Sequence, residues 1–340
     1  MATSIAQPQH TLVSMCGMNT PLANNQEANG QTVLLQKIDL SALQQSHADL
    51  YDCGKQVVEQ NKHLLASPPS EPSLPGFHST SSADFEAVLV DSKQLVRDFN
   101  LSDDDYMAMG RSLARAKAEV NQSPPHINAL EKLIGSIHTD YQQTYAKINE
   151  KAAEFMRDVN TAVGKISDFI KAGGDGKINF RPGDFLESLD KTFAKYTSYT
   201  KTEMGNYKKW SPDDNSTKPI YTFSGDNAEF NFWQKKLGDG YIVKRSTSGG
   251  EIQILPNLSA IRNIYSSVAN SEASWGGSDM NSASFQSLQS AIDSQKNTVN
   301  SSVSQLLEKF RQDNSTFETL IQLLQQMTKD LHHYNAGYCQ

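Results

Sequence analysis

The sequence predicts a mainly α fold: an elongated molecule with a central antiparallel two-helix intramolecular coiled coil, an N-terminal helical hairpin and a small α+β insert. Three observations carry this. From about Met280 to Tyr334 apolar residues recur every seven positions, with no Gly or Pro to stop a helix. An earlier run, opened by Pro124-Pro125 and closed by Gly173-Gly174, carries a matching stripe. Strand and turn patterns fill the stretch between the two.

In the last run one column reads Phe285, Ile292, Val299, Leu306, Asp313, Leu320, Met327, Tyr334. The other reads Val303, Phe310, Phe317, Leu324, Leu331. Steps alternating four and three are those of a left-handed coiled-coil seam. A helix of roughly 50 residues is about 75 Å long and needs a partner of similar length to bury its stripe. The earlier run supplies it through Ile134, Tyr141, Ile148, Phe155, Ala162 and Phe169, and through Tyr145, Ala152, Val159 and Ile166. Proline at the start and glycine at the end fit a helix. Gly135 and Gly164 inside it lower its propensity. The coiled coil is therefore placed at 126–172 and 280–335, and the mixed α/β domain at 173–279.

The chain has 340 residues, 37% of them hydrophobic, and a formal net charge of −7. Its mean hydropathy of −0.54 suits a rod, which exposes more surface than a sphere. Negative charge argues against nucleic acid as a partner. No run approaches the length of a membrane helix. Cys16, Cys53 and Cys339 form no CxxC pair, hence neither a zinc pattern nor a disulfide framework.

The remaining elements follow in order. Met1–Gln36 holds one charged residue, Glu27, amid Ser, Thr, Asn and Gln. It lacks the basic and apolar regions of a cleavable signal peptide, and 1–32 reads as a disordered tail. The hairpin, 33–122, reads as helices over 33–65, 83–98 and 102–120, broken by the proline-rich loop 67–82. Ser102 looks like an N-cap, with Asp103, Asp104 and Asp105 in the first turn. In the insert, 176–180 reads as a strand and 184–199 as a helix, followed by a polar loop. Helices at 228–237 and 258–268 flank a β-hairpin turning at Gly249-Gly250. The stretch 271–279 reads as a hinge.

Catalytic chemistry finds no foothold. Gly173-Gly-Asp-Gly-Lys177 lacks the Ser/Thr and the first glycine of a phosphate loop. Neither HExxH nor GxSxG occurs. His332-His333 reads as a solvated helix end, where the dipole favours cations. Trp210, Trp233 and Trp275 read as core or hinge residues. No enzyme, cofactor or metal is expected.

Three stretches carry a family resemblance. The first is Asp168-Phe-Ile-Lys-Ala-Gly-Gly-Asp-Gly-Lys-Ile-Asn-Phe180. The second is Trp233-Gln-Lys-Lys-Leu-Gly238 with Gly249-Gly250, Leu255-Pro-Asn-Leu258 and Ile261. The third is Phe285-Gln-Ser-Leu288 with Leu306-Leu-Glu-Lys-Phe310, Asn314-Ser315, Phe317 and Leu320-Ile321. In order and spacing the chain, from about residue 83 onward, resembles the hydrophilic needle-tip proteins of type III secretion injectisomes, the IpaD, SipD and BipD kind. The resemblance implies a hairpin that acts as an internal chaperone, a two-helix coiled coil and an α/β domain inserted in it. It makes 1–32 an uncleaved export signal. It implies a cytoplasmic protein exported through the secretion apparatus to cap the needle at the cell surface, in about five copies. There it would restrain secretion and organise the hydrophobic translocators for host-cell invasion. Needle subunit, translocators and further copies of itself are the implied partners, and bile salts a candidate ligand.

On this reading the hairpin covers apolar surface on the rod, and the C-terminal half of the last helix docks on the needle. Exposed polar positions beside the seam are the candidates: Lys309, Asn314, Gln322, Gln325, Lys329 and Asp330. The seam itself is assigned to Tyr141, Tyr145, Ile148, Phe155, Val159, Ile166, Phe169, Ile292, Val299, Val303, Leu306, Phe310, Phe317, Leu320, Leu324 and Met327. Asp313, charged within the inner column, marks the expected change from packing to docking. The alternatives are a flagellar-type filament or cap component, which the α/β insert disfavours, and a pore-forming translocator, which needs long apolar segments.

Overall fold

The computed structural model describes residues 39–44, 50–65, 85–118, 125–199, 207–246 and 249–338, with side chains as far as residue 330. The expectations for the export signal, the proline-rich loop, Cys16, Cys339 and His332-His333 lie outside these residues or side chains. Among the described residues two compact units are found. One comprises the residues up to Leu65, Arg97–Thr144 and Arg311 onward; the other comprises Phe85–Val96 and Tyr145–Phe310.

Among the described residues the hairpin region holds two α-helices rather than three. A 3₁₀ turn at Ser41–Gln44 precedes α1, Leu50–Gln60. Asn61 ties the two together: its Nδ2 donates to Asp39 O and Val57 O, and its Oδ1 accepts from Asp39 N. Helix α2 then runs unbroken over Phe85–Ala118. Ser102 is therefore no N-cap. It sits in mid-helix, and its Oγ lies 2.8 Å from the Asp98 carbonyl four residues back, the back-bonding that serine uses inside helices. The continuity has a sequence basis: Val88, Leu95, Ser102, Met109 and Ala116 step by seven and are all buried.

The next helix is α3, Pro125–Ile137, which widens into a π-helical segment at His138–Gln142 and resumes as α4, Gln143–Gly164. The predicted helix to residue 172 stops short. At Gly164 the backbone tightens into a 3₁₀ turn, Lys165–Phe169, and then extends as β1, Ile170–Ala172. Strand β1 pairs antiparallel with β2, Ile178–Phe180, Ile170 facing Phe180. Pairing across the glycine turn overrides the helical periodicity here. As a result Ile166 and Phe169 are half-buried residues of the turn rather than members of a helical seam. Phe169 packs instead on Phe185, ring centres 5.7 Å apart.

Helix α5, Pro182–Phe193, starts with proline in its first turn. Strand β3, Tyr221–Ser224, lies in the predicted polar loop. Helix α6, Asn227–Leu237, opens on a full capping box: Asp226 accepts from the Ala228 and Glu229 amides, and Glu229 accepts from the Asp226 amide. The predicted β-hairpin is β4, Tyr241–Arg245, and β5, Glu251–Pro256, with Val243 facing Ile254. Its turn needs glycine, since Gly249 and Gly250 have φ of 74° and 88°. Strand β5 is central in a three-stranded sheet, β3 and β4 at its edges. Helix α7, Ser259–Ala269, follows, and the predicted hinge contains β6, Ser278–Met280, which completes the other sheet beside β2. Helix α8, Ser282–Tyr338, is a single helix of 57 residues.

In the second unit α4 and α8 pair antiparallel within the chain. Tyr145 meets Phe310 at 4.2 Å between rings, and fifteen residues along α4 Asn160 Nδ2 donates to Asn300 Oδ1 of α8 at 2.7 Å. The insert docks through Trp233, edge-on to Tyr145 at 4.9 Å. It is also held where Lys195 Nζ and the Tyr196 hydroxyl both donate to Asp158 at 2.8 Å. Within it Trp210 stacks on Tyr265 at 4.3 Å, and Tyr207 stacks on Trp275 at 5.2 Å. Asp190 accepts from the Tyr207 and Tyr265 hydroxyls. Burial raises the Asp190 pKa.

Candidate functional site: the covered face of the last helix

The site is built on Arg311–Asp330 of α8, within the first unit. Phe317, Leu320, Ile321, Leu324 and Met327 are all buried there. The seam thus continues past Asp313, helped by the π-helical segment. A π segment holds one residue more than the α path and so re-aims the side chains it carries. It turns His138 onto Tyr106 of α2, the rings stacked at 4.2 Å, with the Phe317 ring 6.2 Å away. Asp103 pairs with His138 Nε2.

Helix α1 seats on the same face. Gly54 permits the close approach: a Cβ there would stand 2.8 Å from Leu320 Cδ1 and 3.5 Å from Thr316 Cγ2. Tyr51 lies against Tyr141 at 5.9 Å. Lys55 Nζ stands 3.8 Å from Asp313 Oδ1. Asp313 is only 1% exposed, so the charge in the inner column is covered by the hairpin. Asp313 therefore does not mark the end of packing.

Helix α2 covers the other flank. Glu318 Oε1 lies 2.8 Å from Ser102 Oγ and accepts from Asn314 Nδ2 at 2.8 Å. Burial pushes the Glu318 carboxyl above its ordinary range, Asp98 and Asp105 push it further, and the two hydrogen bonds pull it back. Lys117 of α2 pairs with Glu131 of α3. The cover also leaves polar groups unmet. Both amide atoms of Gln142 and the Asn314 Oδ1 are buried without a hydrogen-bond partner among the described residues. Each such group costs about 1–3 kcal/mol.

Of the six candidate docking residues, Gln322 and Lys329 are exposed, and Gln325 and Asp330 half-buried. Asp330 accepts from Gln326 Nε2. Two differ from expectation. Asn314 is 3% exposed because its face of α8 lies under the hairpin. Lys309 belongs to the second unit, where its Nζ donates to Lys236 O at the C-terminal end of α6. The other assigned seam residues are buried: Tyr141, Tyr145, Ile148, Phe155, Val159, Ile292, Val299, Val303, Leu306, Phe310, Phe317, Leu320, Leu324 and Met327. Sequence reading passed over Gly54, Tyr106, His138 and Glu318, and took Ser102 for an N-cap. The seven-residue step through Ser102 was the available signal.

A second feature lies in the second unit. A cleft of about 390 Å³ is lined by Phe155, Tyr241, Asn257, Val299, Leu306 and Lys309, among others. Gly240 closes it tightly on α8, where an added Cβ would stand 2.9 Å from Ser302 Cβ. The described residues bring together no group of His, Cys, Asp and Glu fit for a metal, and none of their helices is long and apolar enough to cross a membrane.

Known proteins resemble this chain. Invasin IpaD of Shigella flexneri is 23% identical over 219 residues, which span 62% of this chain and 59% of IpaD, less than two thirds of that relative. A structure of BipD, a component of the type III secretion system of Burkholderia pseudomallei, superposes with a TM-score of 0.53 at 19% identity. It covers 73% of this chain and 81% of that one. A second BipD structure gives 0.49 at 19% identity, over 74% and 99%. At these identities the likeness is one of fold. The family described as type III secretion systems tip complex components matches residues 6–329, and the chain belongs to that family.

Proposed function

We propose that this chain is the hydrophilic tip protein of a type III secretion needle. It is exported from the cytoplasm through the apparatus, caps the needle at the cell surface, restrains effector secretion and organises the hydrophobic translocators for host-cell invasion. About five copies form the cap. Family membership supports the tip assignment; the family is one of structural components, not of enzymes.

The observation that carries the mechanism is the covered face of α8. A long apolar stripe continues through Phe317, Leu320 and Leu324, and α1 and α2 are packed on it. Uncovered in the cytoplasm, the stripe would drive self-association. The unmet polar atoms of Gln142 and Asn314 keep the cover from being optimal, which suits an element that must be displaced. The hairpin is thus a built-in chaperone, and the needle subunit takes its place on α8. Exposed Gln322 and Lys329 lie at the rim of that surface. Deleting residues 331–340, with secretion and needle binding measured separately, tests the docking site. Loss of tip assembly with secretion retained is expected; normal assembly by the truncated protein refutes it.

Bile salts are the small ligands that the resemblance brings. The cleft beside Phe155, Leu306 and Lys309 offers the apolar wall and the cation that an amphipathic anion needs. Titration of the full chain with a bile salt, and of Lys309→Met, is the check. Undiminished binding by the variant removes the cleft from consideration.

A further inference from the structure

Ser102 Oγ stands 2.8 Å from the Asp98 carbonyl oxygen and 2.8 Å from Glu318 Oε1. A serine hydroxyl owns one proton and can donate to only one of the two. With Glu318 ionised, Oγ and either the carboxylate or the carbonyl meet as two acceptors without a hydrogen. With Glu318 protonated on Oε1, the chain closes: the Oε1 hydroxyl donates to Ser102 Oγ, Ser102 donates to Asp98 O, and the same Oε1 keeps a lone pair that accepts from Asn314 Nδ2. The geometry holds a place for one more proton than an ionised glutamate supplies.

The surrounding charges point the same way. From α2 the carboxylates of Asp98 and Asp105 both act against a negative charge on Glu318. Asp103 on the same helix is engaged by His138 of the π segment. On α8 itself the next acid, Asp313, faces Lys55 of α1.

We infer that Glu318 binds a proton when α2 packs on α8, so that the hairpin grips the last helix more tightly in acid than at neutral pH. The functional meaning rests on the reading that the hairpin covers the docking face: acid then keeps the tip protein closed, and a rise toward neutrality frees α8. The direction follows from linkage. A carboxyl held above its ordinary value of 4.5 when folded contributes stability that is full below that value. The contribution fades as pH rises through the folded-state pKa.

The test is hydrogen exchange on the full chain at about pH 5 and about pH 7.5, corrected for intrinsic rates, reading the α2 amides around Ser102. Protection of the wild type is expected to fall severalfold between the two. Glu318→Gln, whose amide can donate to Ser102 Oγ at any pH, is expected to abolish that difference and to be the better protected protein at the higher pH. A variant that keeps the wild-type pH dependence, or is less protected than wild type at both values, overturns the proposal. Capture of purified needle subunit is measured in parallel. If the pH dependence vanishes in Glu318→Gln while capture ignores both pH and substitution, the protonated clasp stands and the docking-face reading falls.

Discussion

Gly54→Phe should prise α1 off the last helix. An added Cβ at this position already stands 2.8 Å from Leu320 Cδ1 and 3.5 Å from Thr316 Cγ2, so the ring has no room without moving the whole helix. Overpacking of this kind costs about 1–3 kcal/mol, which shifts the closed-to-open ratio of α1 by roughly 5- to 150-fold. Gly54→Ala is the control. Its single methyl meets the free end of a leucine, which can rotate, and the helix gains about 1 kcal/mol in propensity, so a net effect near zero is expected. Leu320→Ala alone should cost about 2–5 kcal/mol. Combined with Gly54→Phe it opens space for the ring, so the double variant should be less destabilised than the sum. Hydrogen exchange of Leu50–Gln60 reads the seat directly, and urea unfolding gives the cycle. The reasoning is refuted if Gly54→Phe leaves α1 exchange at the level of Gly54→Ala, or if the two substitutions add without coupling.

Phe317→Ala, which empties the site beside the stacked Tyr106 and His138 rings, should cost about 3–5 kcal/mol, seen as a lowered thermal midpoint. Asn149 is fully buried and bonds Ser92 twice, its Oδ1 accepting from Oγ at 3.0 Å and its Nδ2 donating to Ser92 O at 3.1 Å. Asn149→Ala should therefore destabilise by about 1–3 kcal/mol through the polar groups left unmet, with exchange near Ser92 accelerated. Lys309→Met removes the cation at the C-terminal end of α6, and amides at 236–240 should exchange faster while α1 is unaffected.

The long helix was legible because nothing competes with its period: no glycine, proline or strand partner interrupts 282–336. The β4–β5 hairpin was equally plain, its turn being dictated by two glycines of positive φ. Strands β1, β3 and β6 were not, because three or four residues carry too little periodicity to register. They exist through pairing with β2 and β5, a tertiary effect. Helix α2 was misread at Ser102, where a good capping sequence conflicts with an equally good seven-residue step. The burial of Ser102 between α2 and α8 decides for continuity. At the candidate site sequence spacing picks out apolar residues that are buried, but not the surroundings of Asn314 and Lys309. Beside a two-helix seam Asn314 would be exposed, but α1 and α2 add further layers, and sequence spacing does not say which side they take. Lys309 was assigned to docking for the same reason, although the insert had claimed it.

The central claim is that α1 and α2 occupy the surface of α8 which the needle subunit takes at the tip. Hydrogen exchange of the full chain, alone and mixed with purified needle subunit, measures this most directly. The account predicts that Leu50–Gln60 loses protection on mixing while Arg311–Asp330 keeps or gains it. Binding that leaves the protection of Leu50–Gln60 unchanged would contradict it.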